Sequence, residues 1–377
     1  MSTFRKQHRV ALIGAGRIAA VHLGFARGVK NATIVGVCDA DPARAEAFAR
    51  ERNVPAFFTD VNEMMRAVEP SVVHVVTPPT THAKLAIAAM QGGANVLVEK
   101  PMAMRVAECD RMIAVAREHG RRICVDHNRL FDPVINKVRA FVQSGRLGDV
   151  VSVEAHQGVN PVEDGGAGGG NGKPHWSVED AFAPLYNLGP HPLYLVSEFI
   201  GPVKSLQVAG LQPADGQGGS GMIPEIRIVL EGDDRFGFVA FSMRSQPYLN
   251  HLAVFGTKAT LRVNLNTMTV ITEQNRKLPK MVGKLMANFE PAAQLVTSAV
   301  GNAIAVATRR MKTYPGIRET IRRFYRSLDE GALPPVTGEQ GRDNVALLNA
   351  IQDHLTSAAE LPRPLATGTE GGASWTS

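Results

Sequence analysis

The sequence predicts an α/β protein in two parts, a doubly wound parallel sheet followed by an α+β domain with a large, mostly antiparallel sheet. Three observations carry that expectation. Over residues 1–126 short apolar runs alternate with stretches rich in Ala, Arg and Glu, the pattern of βαβ units whose sheet is covered on both faces. Beyond them, strand-like runs follow one another with few helices between. The 377 residues, 44% of them hydrophobic and 20% charged, suffice for two apolar cores.

In order, RVALIGAG (9–16), ATIVGVCD (32–39), SVVHVVTPP (71–79), VLVE (96–99) and ICVD (123–126) read as the parallel strands. The helices between them are RIAAVHLGFARG, PARAEAFARERN, VNEMMRAVE, THAKLAIAAMQGG and RVAECDRMIAVAREHG. A second unit, 127–360, takes its strands from DVVSVEAHQ, VKSLQVAGL, IPEIRIVLE, FGFVAFSMR and ATLRVNLNTMTVI. The tract DGGAGGGNGKP (164–174) reads as a loop rather than a linker, because sheet-forming sequence lies on both sides. The segment 314–352 ends in a helix expected to return to the first unit, and 361–377 reads as a disordered tail.

Composition removes several classes of function. Cys38, Cys109 and Cys124 are odd in number and lack C-x-x-C spacing, which excludes a disulfide framework and a zinc cluster and suits a reducing, cytoplasmic setting. No H-E-x-x-H or clustered His points to a metal. Arg17 interrupts the N-terminal apolar run and no cleavage site follows, so no signal peptide is expected. The net charge of +6 is uneven: between Arg276 and Arg326 eleven Lys or Arg face only Glu290 and Glu319. Within this stretch Lys280, Lys284, Arg309, Arg310 and Lys312 flank an uncharged run, 291–308, that is too polar for a membrane span. A packed helix with a basic rim is expected. Its cations have three candidate roles: binding a diphosphate, resting on an anionic membrane surface, or facing solvent. No nucleic-acid module is recognisable, so nucleic acid is not an expected partner.

The chemistry-bearing residues begin at GAGRIA (14–19), where Gly14, Gly16 and Ala19 occupy the G-x-G-x-x-G/A positions between a strand and a helix that opens with Arg17 and Ile18. The first glycine permits the turn, the second admits a pyrophosphate, and the small third residue lets helix and strand pack. Asp39 ends the next strand, placed for a ribose diol. With Ala40 beside it and no adjoining Arg, NAD is favoured over NADP. Thr77 and Pro78 follow the third strand and are expected to line the nicotinamide side, since ligands of such sheets lie beyond the strands' carboxyl ends. His82 there reads either as a cofactor residue or as a helix-capping surface residue. Glu99 and Lys100 form an acid-base pair at the end of an apolar strand.

GAGRIA, CD, TPPTTH and VEKP, in this order, resemble the glucose-fructose oxidoreductase and inositol dehydrogenase family, Gfo/Idh/MocA. The resemblance implies a Rossmann dinucleotide-binding domain over 1–126 and a substrate-binding, oligomerising domain over 127–360. It also implies that Lys100 reaches a substrate hydroxyl while Glu99 lies near the nicotinamide ribose and orients the lysine, and that Pro101 follows a cis peptide. PLYNLGPHPLY (184–194) is similar to the family's L-x-D-x-G-x-H-x-L-D. That match implies a catalytic His191, and a Gly189 that lets the helix approach the cofactor. Asn187 stands where the family has Asp and Tyr194 replaces the later Asp, so Asn187 reads as a hydrogen-bonding, positioning residue and proton transfer falls to Lys100 and His191. Asn128 and Arg129, in DHNRLFDP, are placed near the cleft, with Arg129 either touching substrate or pairing with Asp126 or Asp132. His175 and Trp176 form a candidate lid.

The expected protein is a cytoplasmic, homo-oligomeric, NAD-dependent dehydrogenase acting on a sugar hydroxyl, with a nucleotide-sugar or other diphosphate-linked saccharide favoured. A free sugar or inositol is the first rival substrate. A non-catalytic NAD-binding regulatory protein is the rival class.

Overall fold

The computed structural model describes residues 7–158, 182–211, 224–274, 279–308 and 313–360. Five of the six strands of its first sheet are the apolar runs of the sequence: β1 (His8–Ile13), β2 (Ala32–Cys38), β4 (Val72–Val75), β5 (Asn95–Val98) and β6 (Ile123–Val125), joined by a two-residue β3 (Phe57–Phe58). All pair in parallel, in the order β3-β2-β1-β4-β5-β6. The reversal of direction between β1 and β4 opens a crevice at their carboxyl ends, where such sheets bind ligands. The linking helices are α1 (Arg17–Ala26), α2 (Pro42–Arg52), α3 (Val61–Val68), α4 (His82–Gln91) and α5 (Val106–Glu118). Asp41 and Asp60 cap α2 and α3 through Arg44 N–H and Glu63 N–H, replacing bonds that a helix start cannot make internally.

After α6 (Pro133–Gln143) comes a seven-stranded sheet in the order β13-β12-β11-β7-β10-β9-β8. Its strands are β7 (Val150–Gly158), β8 (Ser205–Leu211), β9 (Glu225–Glu231), β10 (Phe236–Ser242), β11 (Leu249–Gly256), β12 (Ala259–Asn264) and β13 (Thr269–Gln274). Only β7 and β10 pair in parallel. The sequence reading misses β11, and it takes the hairpin β12–β13 as one strand. Before β8 lie α7 (Ala183–Leu188) and α8 (Pro190–Ile200), and α8 packs on β7 and β10.

Among the described residues three helices follow β13: α9 (Lys280–Ala307), α10 (Pro315–Glu330) and α11 (Gly338–Glu360). The last lies against α5, with Arg342 on Asp110 and Arg117 on Glu339. It is not alone in returning to the first sheet. Ile317, Ile321, Phe324 and Tyr325 of α10 share a buried cluster with Val10, Val72 and Leu97.

Helix α9 departs from the packed helix expected. Val296, Val300 and Ile304 are 62%, 54% and 56% exposed. Its amides turn inward instead: Gln294 donates to Thr272 O at 2.9 Å and accepts Thr272 N–H at 2.8 Å, and Asn302 donates to Thr267 O. Strand β13 is a sheet edge with unpaired backbone groups, and the amides satisfy them where Val or Ile would not. Lys284 is exposed on α9. Arg309, Arg310, Lys312 and the Lys280 side chain lie outside the described residues, as do the glycine tract, His175, Trp176 and the tail. Among the described residues no helix is long and apolar enough to cross a membrane.

Candidate active site

The glycine turn after β1 is built as its residues require. Gly14 has φ +106°, and a Cβ there would stand 2.7 Å from Val76 O and 3.1 Å from the Thr77 methyl, so a side chain is excluded by conformation and by space. This contact sets the turn against the loop after β4. Gly16 faces open space and is exposed, as is Arg17, while the half-buried Ile18 packs from the first turn of α1 against the core. Asp39 accepts Ala15 N–H at 2.8 Å and Asp41 N–H at 3.0 Å, tying the end of β2 to the turn. The sequence reading left Asp39 without a nearby cation, and the structure amends that: Arg44 Nη1, on the first turn of α2, stands 3.4 Å from it.

His82 is a correction. Rather than capping a surface helix or offering its ring to a cofactor, it is fully buried, with Nδ1 2.9 Å from Pro101 O and Nε2 2.8 Å from Thr77 O. It clips the loop after β4, where Pro78 is exposed and Thr77 half-buried, to the turn after β5. Burial lowers its pKa, against the pull of the two carbonyls.

Glu99 and Lys100 part company at that turn, where the Lys100–Pro101 peptide is cis. Glu99 is buried, with Oε1 3.1 Å from His22 Nε2 and Oε2 accepting Lys100 N–H at 3.2 Å. It therefore holds the lysine by its backbone N–H rather than by its amine. His22 also lies 3.5 Å from Asp126 Oδ2, and its Nδ1 is 3.2 Å from His74 Nδ1. His74 Nε2 in turn meets Tyr325 Oη at 3.0 Å. Burial alone would lower His22, but hydrogen bonds and charge from Asp126 and Glu99 overcome it and raise its pKa to about 9. Burial holds His74 well below the usual imidazole range. Burial raises Asp126, while His22 holds Glu99 low against its own burial. The result is an imidazolium held by two buried carboxyls whose pKa values are pushed in opposite directions. Sequence reasoning missed this group. Its one signal was a histidine on the apolar face of the helix that follows GAGRIA.

Lys100 takes the other direction. Nζ donates to Asn187 O at 2.6 Å and lies 3.4 Å from Asn187 Oδ1. Asn187 is the penultimate residue of α7, and His191 stands four residues on, in the first turn of α8. Desolvation lowers the Lys100 pKa. Burial, with Lys100 and Arg129 nearby, holds His191 well below the usual range and so neutral. The structure thus brings Lys100, Asn187 and His191 together. Gly189, between the helices, is explained by packing: a Cβ would lie 2.5 Å from Leu185 O and 3.3 Å from Leu348.

Arg129 makes neither expected ion pair. Its guanidinium lies 3.5 Å from Tyr248 Oη and 2.8 Å from the Asn250 side-chain amide, whose oxygen is the atom able to accept from it, joining the turn 128–131 to β11. Asn128 opens that turn, half-buried, its carbonyl against Gly316 of α10.

A parallel sheet of this order, with a glycine turn fixed at φ +106° and a carboxylate at the end of β2, defines a dinucleotide-binding protein. Residues 8–127 match the model of an oxidoreductase family with an NAD-binding Rossmann fold, and residues 135–262 match that family's C-terminal domain. The chain belongs to the Gfo/Idh/MocA family. It is 29% identical over 225 residues to D-glucoside 3-dehydrogenase of Escherichia coli, covering 58% of this chain and 61% of that one. It is 34% identical over 148 residues to inositol 2-dehydrogenase 1 of Saccharopolyspora erythraea, covering 38% and 44%. The matched stretches thus span less than two thirds of these relatives. The fold is shared with the WlbA dehydrogenase of Bordetella pertussis, solved in complex with NADH and UDP-GlcNAcA, at a TM-score of 0.73 and 23% identity over 97% of this chain and 100% of that one.

Proposed function

We propose that the protein is an NAD-dependent dehydrogenase that oxidises a secondary hydroxyl of a saccharide, with a nucleotide-sugar as the favoured substrate. The observation that carries the reading is the meeting of Lys100 Nζ with Asn187, four residues before His191. The cofactor's fit rests on Gly14, whose Cβ would fill the turn, on open Gly16, and on Asp39 at the end of β2. NAD supplies a hydride acceptor when bound. This chain's residues do the rest: Gly14, Gly16 and the first turn of α1 receive the pyrophosphate, and Asp39 the ribose diol. Lys100, its amine made less basic by desolvation, takes the hydroxyl proton, while Asn187 and His191 hold the oxygen. Each turnover therefore moves one hydride to NAD and one proton to Lys100. Desolvation tunes the lysine toward that task, because an amine protonated at working pH cannot accept.

Kinship with dehydrogenases of glucosides and inositol supports a polyhydroxylated substrate, and the shared fold of a protein solved with UDP-GlcNAcA favours a nucleotide-sugar among them. The exposed Val151, Phe236 and Phe238 support homo-oligomerisation through the second sheet. The apolar outer face of α9 supports peripheral contact with an anionic membrane by a cytoplasmic protein. The test is absorbance of the reduced nicotinamide when the protein is mixed with NAD and a panel of UDP-sugars, glucosides and inositols. Reduction with a UDP-sugar is expected. Reduction with inositol alone moves the substrate to the free polyols, and NAD binding without reduction by any of them overturns the reading.

A further inference from the structure

One buried phenol beside His191 has no part in the reading above. Tyr194, in the second turn of α8, is 5% exposed and stacks on the His127 ring at 4.4 Å. Its hydroxyl accepts the backbone N–H of Arg129 at 3.2 Å and lies 2.7 Å from His191 Nδ1. These two contacts are not interchangeable. An amide can only donate, so the Arg129 bond uses a lone pair and leaves the phenol's own proton needing an acceptor. Among the described residues, His191 Nδ1 is the acceptor within hydrogen-bond distance. If Nδ1 carried the proton instead, the phenolic O–H would be buried without a partner, an arrangement that folded proteins rarely tolerate.

We propose that Tyr194 donates its O–H to His191 Nδ1, fixing the imidazole as its Nε2–H tautomer, so that His191 meets the substrate as a hydrogen-bond donor and Lys100 alone is the base. This deepens the dehydrogenase reading and rests on its placement of His191 in the site. Two further observations agree with it. Burial pushes the Tyr194 phenol well above its ordinary range, so it keeps its proton. His191 is held neutral by burial and by the neighbouring cations, and a neutral ring has one N–H to give. With Nδ1 accepting, that N–H is on Nε2, for which no protein partner is found among the described residues. The hydroxyl proton then passes to Lys100, while His191 keeps its own and supports the oxygen as it becomes a carbonyl. Tyr194 is a positioning residue, acting through His191.

The test needs no knowledge of the sugar. In full-length protein saturated with NAD and labelled with ¹⁵N in its histidine rings, His191→Gln identifies the His191 signals. The parent is expected to show a pyridine-like Nδ1 and a pyrrole-like Nε2. Tyr194→Phe is expected to release that preference and mix the tautomers, with kcat falling about tenfold and KM little changed, the scale of one lost hydrogen bond. A pyrrole-like Nδ1 in the parent overturns the proposal whatever the activity. An unchanged pattern in a folded Tyr194→Phe removes Tyr194 from it. Neutron diffraction from parent crystals decides the same point without a variant, a deuteron on Nδ1 overturning it. A pyridine-like Nδ1 in a protein that reduces no NAD with any saccharide leaves the tautomer standing and overturns the dehydrogenase reading instead.

Discussion

Glu99 and Lys100 are neighbours in sequence, yet their side chains enter two clusters of opposite character. Glu99 joins His22, Asp126 and His74 in a sealed group where every ring nitrogen has a partner, no member sees solvent beyond a few per cent, and the Asp126 carboxyl, without a hydrogen bond of its own among the described residues, faces the His22 ring at 3.5 Å. Lys100 joins Asn187 and His191 in a group with valences left over: an amine bound to one carbonyl, an amide, and an imidazole with one nitrogen unpartnered among the described residues. Charges shut away from water and facing one another build architecture, and charged or polar groups with open valences at a crevice are available to a ligand. The difference turns on a single peptide unit, whose N–H is itself held by Glu99.

The comparison breaks most visibly at Lys100. Lys100→Ala is expected to cut turnover about 10²–10⁴-fold, the range for a positioned acid-base group, while NAD affinity measured by titration stays near that of the parent. Normal turnover would remove the open cluster from catalysis. In the sealed cluster, Glu99→Gln leaves a buried imidazolium without its ionised partner and is expected to destabilise the fold by about 3 kcal/mol, read by denaturant unfolding.

The same cluster gives a pH dependence with a defined sign. His22 has a folded pKa of about 9, above its ordinary 6.5. Its protonated form therefore stabilises the protein fully below about pH 6.5, and that stabilisation is lost as pH rises through about 9. The Tm is expected to fall between pH 7 and 10 in the parent and to fall less in His22→Gln. Equal slopes would mean that His22 is not the charged group.

Two smaller effects sharpen the contrast. Asp39→Ala is expected to weaken NAD binding by about 1.5–3 kcal/mol, as for lost charge-assisted hydrogen bonds. Part of that comes from Ala15 N–H, which loses its partner. Asn187→Asp puts a carboxylate beside Lys100, and is expected to keep activity within about tenfold of the parent while moving the pH-rate profile. An unmoved profile would place Asn187 outside the proton-transfer path.

Much of this was legible in the sequence, for reasons that also mark where reading stops. The strands and helices of the first sheet announce themselves because each contains its own period and its own turn, as GAGRIA and Asp39 do. Lys100, Asn187 and His191 were found through motif order. His22 was not, because its partners lie far along the chain, at Glu99 and Asp126. His82 was misread because a histidine in a helix's first turn looks outward unless the Pro101 carbonyl, nineteen residues on, is known to meet it. The α9 error has a different cause. Apolar residues at helical spacing imply a buried face only when the surface to be covered is apolar, and β13 offers bare backbone instead.

That edge has a consequence for synthesis. When β13 has left the ribosome its Thr272 amide and carbonyl have no neighbour, and another nascent chain can pair there as readily as the intended cover. Residues 280–307 follow directly, and Gln294 fills the place of a missing strand with a single side chain. The helix acts as a stopper on a growing sheet, and its arrival ends the interval in which the sheet can be extended by a stranger.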